Sequence, residues 1–411
     1  MTQHQARNIA EIDLNGLEAL RDPYPLYDQV RREDPVHWND SDQRWYITRY
    51  EDLISILRDQ RVSSMRNREV NRVLPKELQQ KIKPLTDAMA SWMLHSDPPA
   101  HTRMRGLVNK AFTPRMIENM RERIQTRVDA ILDKVQQNSR MDIIADLAVP
   151  LPGIVISDML GVPEEDQPKF KKWSDDIASR NVYSESDDDI ADGFLLAQQS
   201  FFELSEYFRD IVKDLRKNPN DNLLSAMVVA EESGDRLTEA ELIANCVLLM
   251  FAGNETTTNL IGNGMLSLFQ NPEQRQMLQA DDQLIGSAVE EFLRYDSPVQ
   301  KTSRIAKEDI NIRGKTIASG ELISVCYGSA NRDPDQFENA EQLDIKRADN
   351  RHLSFAQGIH YCLGASLARM EGQVAINSLL RRMPDIKMET TKIDRGQNLT
   401  LWGLKSLGVT F

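Results

Sequence analysis

Cys362 is the residue whose neighbours point most directly to chemistry. It stands between Gly358 and Gly364, and His360 precedes it by two positions. Glycines allow the backbone to fold tightly beneath a flat group and to turn its amides toward a sulfur. The helical pattern of residues 363–382 places the thiol at a helix N-terminus, where the dipole and the free N–H groups favour a thiolate. This arrangement predicts a cysteine that offers one thiolate to a metal.

Three roles for Cys362 are open from these residues alone. In the first, the thiolate binds haem iron and pushes electron density toward bound oxygen. In the second, His352, His360 and Cys362 supply ligands to zinc, although no second Cys/His pair follows at zinc spacing. In the third, the cysteine is a small buried hydrophobe, the usual state of a cysteine in a cytosolic protein. The glycines favour the first role, and the rest of the chain must decide.

The elements that must position this loop are mostly helices, so the predicted fold class is mainly α with small β-sheets near both ends. Helical patterns end at turn and breaker residues, and strand-like alternation is short. The predicted segments are a helix at 22–34, a β-hairpin from 36–38 and 45–48, helices through 51–294, strands within 304–327 and a strand pair at 399–411.

A long helix in the middle of the chain contains a local conflict. Thr238 to Glu241 forms a capping box that opens a helix ending near Asn271. Within this apolar, buried helix, Glu255 and Thr256 follow a glycine, although buried carboxylates and helical threonines are locally unfavourable. Such conflicts are typical of functional sites, where this pair would supply a proton path. The alternative is a helix kink with a solvated face.

Glu291 and Arg294 form a second candidate pair. They are three residues apart in a predicted helix over 282–295, so they share a face. Most such pairs lie on the surface and contribute little stability. If this pair is buried, it would hold a neighbouring loop in place.

Composition limits the class of protein and its compartment. The 411 residues carry a net charge of −13, which argues against broad binding to nucleic-acid phosphates. Three cysteines, an odd number, fit a reducing compartment. The N-terminal residues are polar and contain no signal-like apolar segment, so we expect a cytoplasmic protein without a membrane anchor. We expect a polar N-terminal extension over 1–21 and a single domain over 22–411.

The cysteine loop, the long helix and the Glu-x-x-Arg pair occur along the chain in the order that resembles the cytochrome P450 family. The resemblance extends from about residue 22 to 411. It is closest to soluble bacterial members. Segments 97–105 and 330–337 resemble its early haem-facing helix and the segment before its haem loop. Two departures are Ala356, where bacterial members usually carry glycine, and Asn254, which precedes the acid where histidine or aspartate-like residues are common. The remaining matches are the haem loop at Phe355, Gly358, His360, Cys362 and Gly364, the oxygen-binding helix at Ala252–Thr257, and the Glu-x-x-Arg pair at Glu291 and Arg294.

The resemblance implies a triangular helical prism with haem b between a long distal helix and a proximal helix that carries the cysteine. It implies insertion of one oxygen atom from O2 into a C–H or C=C bond of a hydrophobic small molecule. Fatty acids, terpenoids or steroids, and polyketide-type molecules all remain possible. The alternatives are a peroxide-driven haem-thiolate peroxygenase and a non-catalytic haem-binding sensor.

The resemblance also assigns roles to individual residues. Cys362 would be the axial iron ligand, and Thr256 and Glu255 would deliver protons to dioxygen, with Gly253 leaving space for it. Glu291, Arg294 and Arg347 would form a structural network. Haem would be bound by Phe355, Gly358, His101, Arg105, Arg304 and His360, the last four at the propionates. The substrate pocket would include Leu248, Ala252, Val299, Leu401 and Trp402.

We expect a separate partner to supply the electrons, because the resemblance to the haem domain extends over nearly all of the 411 residues. By resemblance, this partner is a ferredoxin or flavodoxin with its NAD(P)H reductase. Lys110, Arg115 and Arg351 are basic candidates for docking an acidic partner near the cysteine. We expect the protein to be a monomer.

Overall fold

Helices form most of the chain and carry both halves of the predicted site. The structure is a computed structural model and describes residues 8–411 except 66–73, 182–183, 185, 233–236 and 399. The α-helices are α1 (Leu17–Arg21), α2 (Tyr24–Glu33), α3 (Tyr50–Arg58), α4 (Lys76–Lys81), α5 (Lys83–Met89), α6 (Ala100–Ala111), α7 (Pro114–Asn119), α8 (Arg121–Gln136), α9 (Pro150–Leu160), α10 (Gln167–Ala178), α11 (Asp187–Leu215), α12 (Leu223–Glu232), α13 (Glu239–Gln270), α14 (Pro272–Ala280), α15 (Ile285–Tyr295), α16 (Tyr327–Ala330) and α17 (Ala365–Arg382).

Shorter helical turns connect several of these elements. One of them, immediately before Cys362, is part of the predicted haem loop. The 3₁₀ turns are Ile9–Glu11, Met93–His95, Glu164–Asp166, Ser179–Asn181, Asp282–Leu284 and Gly358–His360, and a π-helical segment covers Ile143–Ala148.

The strands form three small sheets. The first has the order β1-β2-β8-β5-β3, the second β4-β10-β9, and β6 pairs with β7. The predicted hairpin is confirmed as antiparallel β1 and β2, and β2 pairs in parallel with β8. The strands are β1 (Val36–Asn39), β2 (Arg44–Ile47), β3 (Val62–Ser63), β4 (Arg140–Asp142), β5 (Thr302–Ala306), β6 (Ile310–Ile312), β7 (Lys315–Ile317), β8 (Leu322–Val325), β9 (Lys387–Met388) and β10 (Gly408–Thr410).

The predicted strand pair within 399–411 is wrong. This segment contains one strand, β10, which pairs with β4 and β9 from elsewhere in the chain. Leu401 and Leu404 form only isolated bridges, to Val299 and Arg395, and residue 399 lies outside the described residues. Alternation indicates which side chains are buried, but it does not identify the partner strand.

The predicted long helix is confirmed almost to the residue. Thr238 caps α13, its hydroxyl accepts from the Glu241 amide at 3.2 Å, and the Glu241 carboxylate accepts from the Thr238 amide at 2.8 Å. The helix ends at Gln270, before Asn271 and Pro272. Nearly every residue from Leu242 to Met250 is buried, which explains why the helix is apolar on all sides.

Helices α13 and α17 contact each other closely at two glycines. A Cβ added to Gly372 would lie 3.0 Å from Leu260 Cδ2, and one added to Gly264 would lie 3.0 Å from Ile376 Cδ1. From the Leu260–Gly372 contact to the Gly264–Ile376 contact, each helix advances by one turn toward its C-terminus. The two helices therefore run parallel at this contact. The contact fixes which turns of α13 face which turns of α17.

The segment predicted as a polar N-terminal extension packs onto the protein where it is described. Ile12 and Leu14 are buried against Tyr27 and Tyr46. Lys301 donates to the Leu14 carbonyl oxygen at 2.5 Å. The predicted domain boundary at residue 22 remains a prediction, although residues 12–14 share a core with the helices that follow.

One stretch has the length and apolar composition of a membrane-spanning helix. It covers Ile143–Leu160, and 61% of it is buried inside the protein. Burial of this kind is typical of a core helix in a soluble protein.

Candidate functional site

The loop that ends at Cys362 folds back on itself and presents the thiol outward. The Cys362 amide donates to the Phe355 carbonyl oxygen at 2.9 Å, which closes the loop. The Gly364 amide donates to the thiol from the N-cap of α17. The side chain of Cys362 is exposed, in contrast to Cys246 and Cys326. The interpretation as a small buried hydrophobe therefore does not apply to Cys362.

The backbone of this loop explains two of its small residues. Gly358 has a φ of 73°, and an added Cβ would lie 2.9 Å from the Leu57 carbonyl oxygen. Gly358 is therefore required by both conformation and space. Ala356 also has a positive φ, 58°, a region that costs free energy for any residue with a Cβ.

Gly364 is different from Gly358, because the protein itself does not require a glycine there. Its φ is −83°, and an added Cβ would meet no atom of the described residues within 4 Å. The open space lies beside Cys362. A flat group lying over the thiol accounts for the absence of a side chain at Gly364.

Phe355 is held in place beside the loop by a charged network. The Arg369 guanidinium lies 4.4 Å from the centre of its ring. Arg369 also donates to Glu290 at 2.6 and 2.9 Å, and His352 hydrogen-bonds Glu290 at 3.2 Å. Burial raises the pKa of Glu290, but the hydrogen bonds from His352 and Arg369 outweigh burial and lower it to about 2. Glu290 therefore stays ionised and fixes Arg369 over the ring.

The groups around Cys362 shift the pKa of its thiol in opposite directions. Crowding by the chain behind the sulfur raises the pKa of the thiol, although its outer side is exposed. The Gly364 amide lowers this pKa, as do the guanidinium groups of Arg105 and Arg369. These groups are the ones that would stabilise a thiolate bound to a metal.

A cluster of basic side chains lies beside Cys362 and fits the two carboxylates of haem. The rings of His101 and His360 are 4.2 Å apart. His101 is buried, and its Nδ1 has no hydrogen-bond partner among the described residues. Burial lowers the pKa of Arg105, whereas its interaction with Cys362 raises it. A buried donor without an acceptor is unfavourable unless a ligand supplies one.

Arg304 is a further buried cation, on β5. It is 4% exposed, and its Nη1 donates to the Ser303 carbonyl oxygen at 2.8 Å. In the described part of the chain, no carboxylate forms an ion pair with it. A buried guanidinium needs an anionic partner, which a propionate would supply.

Glu255 and Thr256 lie where α13 is no longer fully buried. Ala252 is exposed in the middle of an otherwise buried helix. The Thr256 hydroxyl donates to the Ala252 carbonyl oxygen at 2.9 Å, which leaves its oxygen free to accept. Burial, followed by Asp175, raises the pKa of Glu255 to about 7, while Arg180 opposes the shift. This carboxyl can therefore gain and lose a proton near neutral pH.

The helix register brings these residues toward Cys362. From the pairs Leu260–Gly372 and Gly264–Ile376, two turns back along α13 leads to Ala252 and two turns back along α17 leads to Gly364. Ala252 is exposed and Gly364 has open space beside it, whereas the turns at Leu260–Gly372 and Gly264–Ile376 are packed. The space between the two helices therefore widens toward Ala252 on one side and Cys362 on the other.

Gly253 does not open this space. A Cβ added to it would lie 3.9 Å from Ile156 Cγ1 on α9, at an ordinary contact distance. Gly253 thus faces α9 instead of the exposed Ala252 side. The small size of Ala252 itself is what leaves room.

The Glu291–Arg294 pair at the centre of the predicted network is completely buried. Arg294 donates to both Glu291 oxygens at 2.8 and 2.7 Å, and neither side chain is exposed. Arg347 and Asn350 donate to Glu291 Oε2 at 3.1 and 3.0 Å. Arg294 also donates to the carbonyl oxygens of Asn331, Ala340 and Gln342. The pair thus anchors the segment that precedes the cysteine loop.

The residues predicted for the substrate pocket are not all in one place. Leu248 is buried on α13, one turn before exposed Ala252. Val299 and Leu401 face each other as an isolated bridge. Trp402 is buried, donates to Asp296 at 2.7 Å, and lines a cleft of about 880 Å³ near the N-terminal segment.

The Trp402 cleft is separate from the Ala252 face. Arg395 stacks 4.1 Å above the Trp402 ring, and the Tyr24 ring packs edge-on at 6.5 Å. None of Leu248, Ala252 and Cys362 lines it.

The other candidate residues are three surface cations and His352. Lys110 and Arg115 are exposed, and exposed Arg351 pairs with Asp349 at 2.9 Å. His352 uses both ring nitrogens, with Glu290 and with the Ser354 amide at 3.2 Å. Among the described residues, no three His, Cys, Asp or Glu side chains could hold a metal ion together. Zinc therefore has no ligand set here.

Two residues near the site, Arg180 and Trp92, were not singled out as individual candidates from the sequence. Arg180, which is in the turn after α10, lies near Glu255 and stacks over Phe251. Trp92 stacks on Phe251, with ring centres 5.9 Å apart. Each depends on contacts between distant segments, so spacing along the chain could not reveal them.

Comparison with known proteins agrees with this geometry. The family model for cytochrome P450 matches residues 82–399. The polyketide biosynthesis cytochrome P450 PksS of Bacillus subtilis (strain 168) is 40% identical over 410 residues, covering 96% of this chain and 97% of that protein. P450BioI, crystallised in complex with hexadec-9Z-enoic acid ligated acyl carrier protein, has a TM-score of 0.87 at 39% identity, covering 96% of this chain and 99% of that one. CYP109E1 from Bacillus megaterium, in complex with testosterone, has a TM-score of 0.86 at 34% identity, covering 96% and 98%.

Proposed function

Since this chain belongs to the cytochrome P450 family of haem-thiolate monooxygenases, we propose that it inserts one oxygen atom from O2 into a hydrophobic small molecule at a haem b bound by Cys362. The predicted fold class is confirmed by the crystal structures that superpose on the chain. The observation that carries the proposal is an exposed thiol and an exposed distal face, Ala252, at the open end of two parallel helices.

The bound haem would supply oxygen activation and atom transfer to the substrate. Cys362 would be its axial ligand, with the Gly364 amide and Arg369 stabilising the thiolate. Gly358 would keep the backbone clear of the ring, and Phe355 would pack beside the sulfur. The propionates would be bound by His101, Arg105, Arg304 and His360.

Thr256 and Glu255 would control proton delivery. The Thr256 hydroxyl donates to the Ala252 carbonyl oxygen, so its own oxygen is left to accept and would accept a hydrogen bond from a water molecule at the site. Glu255 Oε2 has no hydrogen-bond partner among the described residues. With a pKa of about 7, Glu255 can exchange protons with solvent and pass them toward Thr256. The Glu291, Arg294 and Arg347 network would have a structural role.

The substrate class follows from the apolar surroundings and from relatives. The exposed side of α13 presents Ala252, with Leu248 one turn away, so an apolar molecule would fit there. Relatives are named for polyketide biosynthesis, or were crystallised with a carrier-linked acyl chain or a steroid. We propose an acyl chain or a polyketide-type molecule as the substrate, which Val299 and Leu401 would also contact.

A ferredoxin or flavodoxin with an NAD(P)H reductase would supply electrons. Exposed Lys110 and Arg115 would contact it. We propose a cytoplasmic monomer without a membrane anchor.

The peroxide-driven alternative finds less support in the geometry. An enzyme that starts from peroxide has no need for a carboxyl poised near neutral pH beside a threonine. A haem-binding sensor would likewise have no use for the Glu255–Thr256 pair. Full turnover with peroxide that is unchanged in Thr256→Ala would favour the peroxygenase.

The absorption spectrum of the reduced, carbon-monoxide-bound protein tests the proposal. We expect a red-shifted Soret band of the thiolate type in the wild type and its loss in Cys362→Ser. Cys246→Ser is the matched control, since that thiol is buried away from the loop. A Soret band typical of histidine ligation, or a colourless protein after haem reconstitution, would refute the thiolate site.

A further inference from the structure

Arg180 is a cation beside the distal helix that forms no ion pair with a carboxylate of the described residues, although it interacts electrostatically with Glu255. It lies in the turn Ser179–Asn181, and its guanidinium is 4.7 Å from the Phe251 ring centre and 5.7 Å from that of Trp92. It donates to the Ile177 carbonyl oxygen. Within the described ranges of the chain, it forms no ion pair. The residue as a whole is half-buried, and burial around its guanidinium lowers its pKa to about 10.

The helical period places Arg180 next to the proposed reaction site. Phe251 and Glu255 are four residues apart, so they share one face of α13. Ala252 and Thr256 form the neighbouring face, one residue further around the helix. Arg180 stacks on the first of these faces and interacts electrostatically with Glu255. A ligand group at Arg180 would therefore lie alongside a molecule that contacts Ala252.

Trp92 provides a second, independent indication of a ligand. Its side chain is 0% exposed, and its indole Nε1 has no hydrogen-bond partner in the part of the chain that the structure describes. Its ring is stacked on Phe251 and lies under Arg180. A buried N–H without an acceptor is unfavourable, and an acceptor from a ligand would remove that cost.

We propose that Arg180, assisted by Trp92, binds the carboxylate of an apolar substrate whose chain extends toward Ala252. The inference rests on the proposed function and narrows its substrate class to carboxylic acids. A guanidinium presents paired N–H groups that match a carboxylate, and the two aromatic rings limit competition from water. Glu255 does not occupy the position, since no ion pair joins it to Arg180.

A carboxylate at this position would also act on Glu255. Arg180 lowers the pKa of Glu255, against burial and Asp175, which raise it. A bound substrate anion would offset the guanidinium charge and favour the protonated carboxyl. Substrate binding would then increase the fraction of Glu255 that is protonated and able to donate a proton.

Optical titration of the haem-loaded, full-length protein tests the subsite. The probes are hexadec-9-enoic acid and hexadec-9-en-1-ol, which differ only at the polar end, and the readout is the spin-state change of the iron on binding. We expect the acid to bind about 10- to 100-fold more tightly than the alcohol. Arg180→Met should abolish this preference and change alcohol binding by less than about threefold.

Two further variants separate charge from packing. Arg180→Lys keeps the charge without the paired N–H groups and should retain part of the preference. Lys172→Met removes an exposed charge from nearby α10, where Lys172 pairs with Asp176, and should leave the preference unchanged.

Three results would overturn the subsite: equal binding of acid and alcohol by the wild type, an equal loss of both in Arg180→Met, or no binding of the acid at all. In each case, a thiolate-type carbon-monoxide spectrum would leave the proposed function standing. Loss of that spectrum in the wild type would refute the proposed function instead.

Discussion

At the scale of single residues, the backbone of the cysteine loop shows where a substitution has a cost. Ala356 occupies the left-handed region at a φ of 58°, next to a glycine that genuinely needs its positive φ. The family resemblance marks this position as one where glycine is usual. The structure supplies the physical reason, because a Cβ in this region is strained.

Ala356→Gly should therefore stabilise the protein. Relief of left-handed strain contributes about 1–2 kcal/mol, and the greater freedom of glycine in the unfolded chain removes about 0.4–1 kcal/mol. We expect a net gain of about 0.5–1 kcal/mol in the free energy of unfolding, measured by urea titration of the haem-loaded protein. Ala368→Gly, in the helical conformation of α17, should instead lose about 1 kcal/mol. A loss at both positions would contradict the strain argument.

Thr256→Ala should uncouple electron consumption from product formation. The variant loses the oxygen that accepts a hydrogen bond beside Glu255, so NADPH consumption continues while product per NADPH falls by about tenfold or more. The difference should appear as peroxide. Thr256→Ser keeps the hydroxyl and should remain close to the wild type. Product yield per NADPH equal to that of the wild type in Thr256→Ala would exclude the assigned role.

At the scale of elements, α17 combines the cysteine end with a buried carboxyl. Glu371 is 2% exposed, and its Oε2 has no hydrogen-bond partner among the described residues. Burial raises its pKa from 4.5 to about 8. The folded protein therefore keeps a proton that the unfolded chain releases above its ordinary pKa. The free energy of unfolding must then fall as pH rises between these two values.

Glu371→Gln should remove this part of the pH dependence. We expect the free energy of unfolding at pH 8 to increase by roughly 1–3 kcal/mol, with little change near pH 4. Urea titrations of the wild type and the variant at pH values between these two measure the difference in the free energy of unfolding. The contributions of the other titrating groups are the same in both proteins and cancel in this difference. Glu118→Gln, an exposed position on α7, should show no such trend. A difference that does not vary with pH would mean that Glu371 is ionised in the folded protein.

At the scale of the whole molecule, net charge affects how an electron donor is recruited. The chain carries −13 overall, so an acidic ferredoxin would be repelled except at a local basic surface. Lys110 and Arg115 lie on or just after α6, the helix that carries His101 and Arg105. They are the first exposed cations that follow His101 and Arg105 in the sequence.

Reversing both charges in Lys110→Glu/Arg115→Glu should slow reduction by an acidic ferredoxin by about tenfold at low salt, with a smaller effect at high ionic strength. Stopped-flow reduction measures the rate. Substrate-induced spin shifts should be unchanged. Lys213→Glu/Lys217→Glu makes the same change of charge on and after α11. An equal slowing in this control would show that net charge, and no particular surface, governs the rate.

Sequence alone predicted the features that depend on near neighbours. The bounds of α13 follow from the Thr238 capping box and from Pro272, and the tight loop follows from its glycines. It could not predict which strands pair with β10, where Trp402 packs, or that Arg180 stacks on Phe251. These depend on contacts between separate segments of the chain, and local propensity carries no information about such contacts.

The glycine contacts between α13 and α17 have a mechanical consequence. Thr256 is two turns, or about 12 Å, from Gly264 along the helix. A Cβ at Gly264 would lie 2.9 Å from Phe292 Cδ2 and 3.0 Å from Ile376 Cδ1, so a side chain there would require α15 or α17 to shift. The spacing of these helices therefore depends on a glycine about two turns away from the proposed proton-delivery residues.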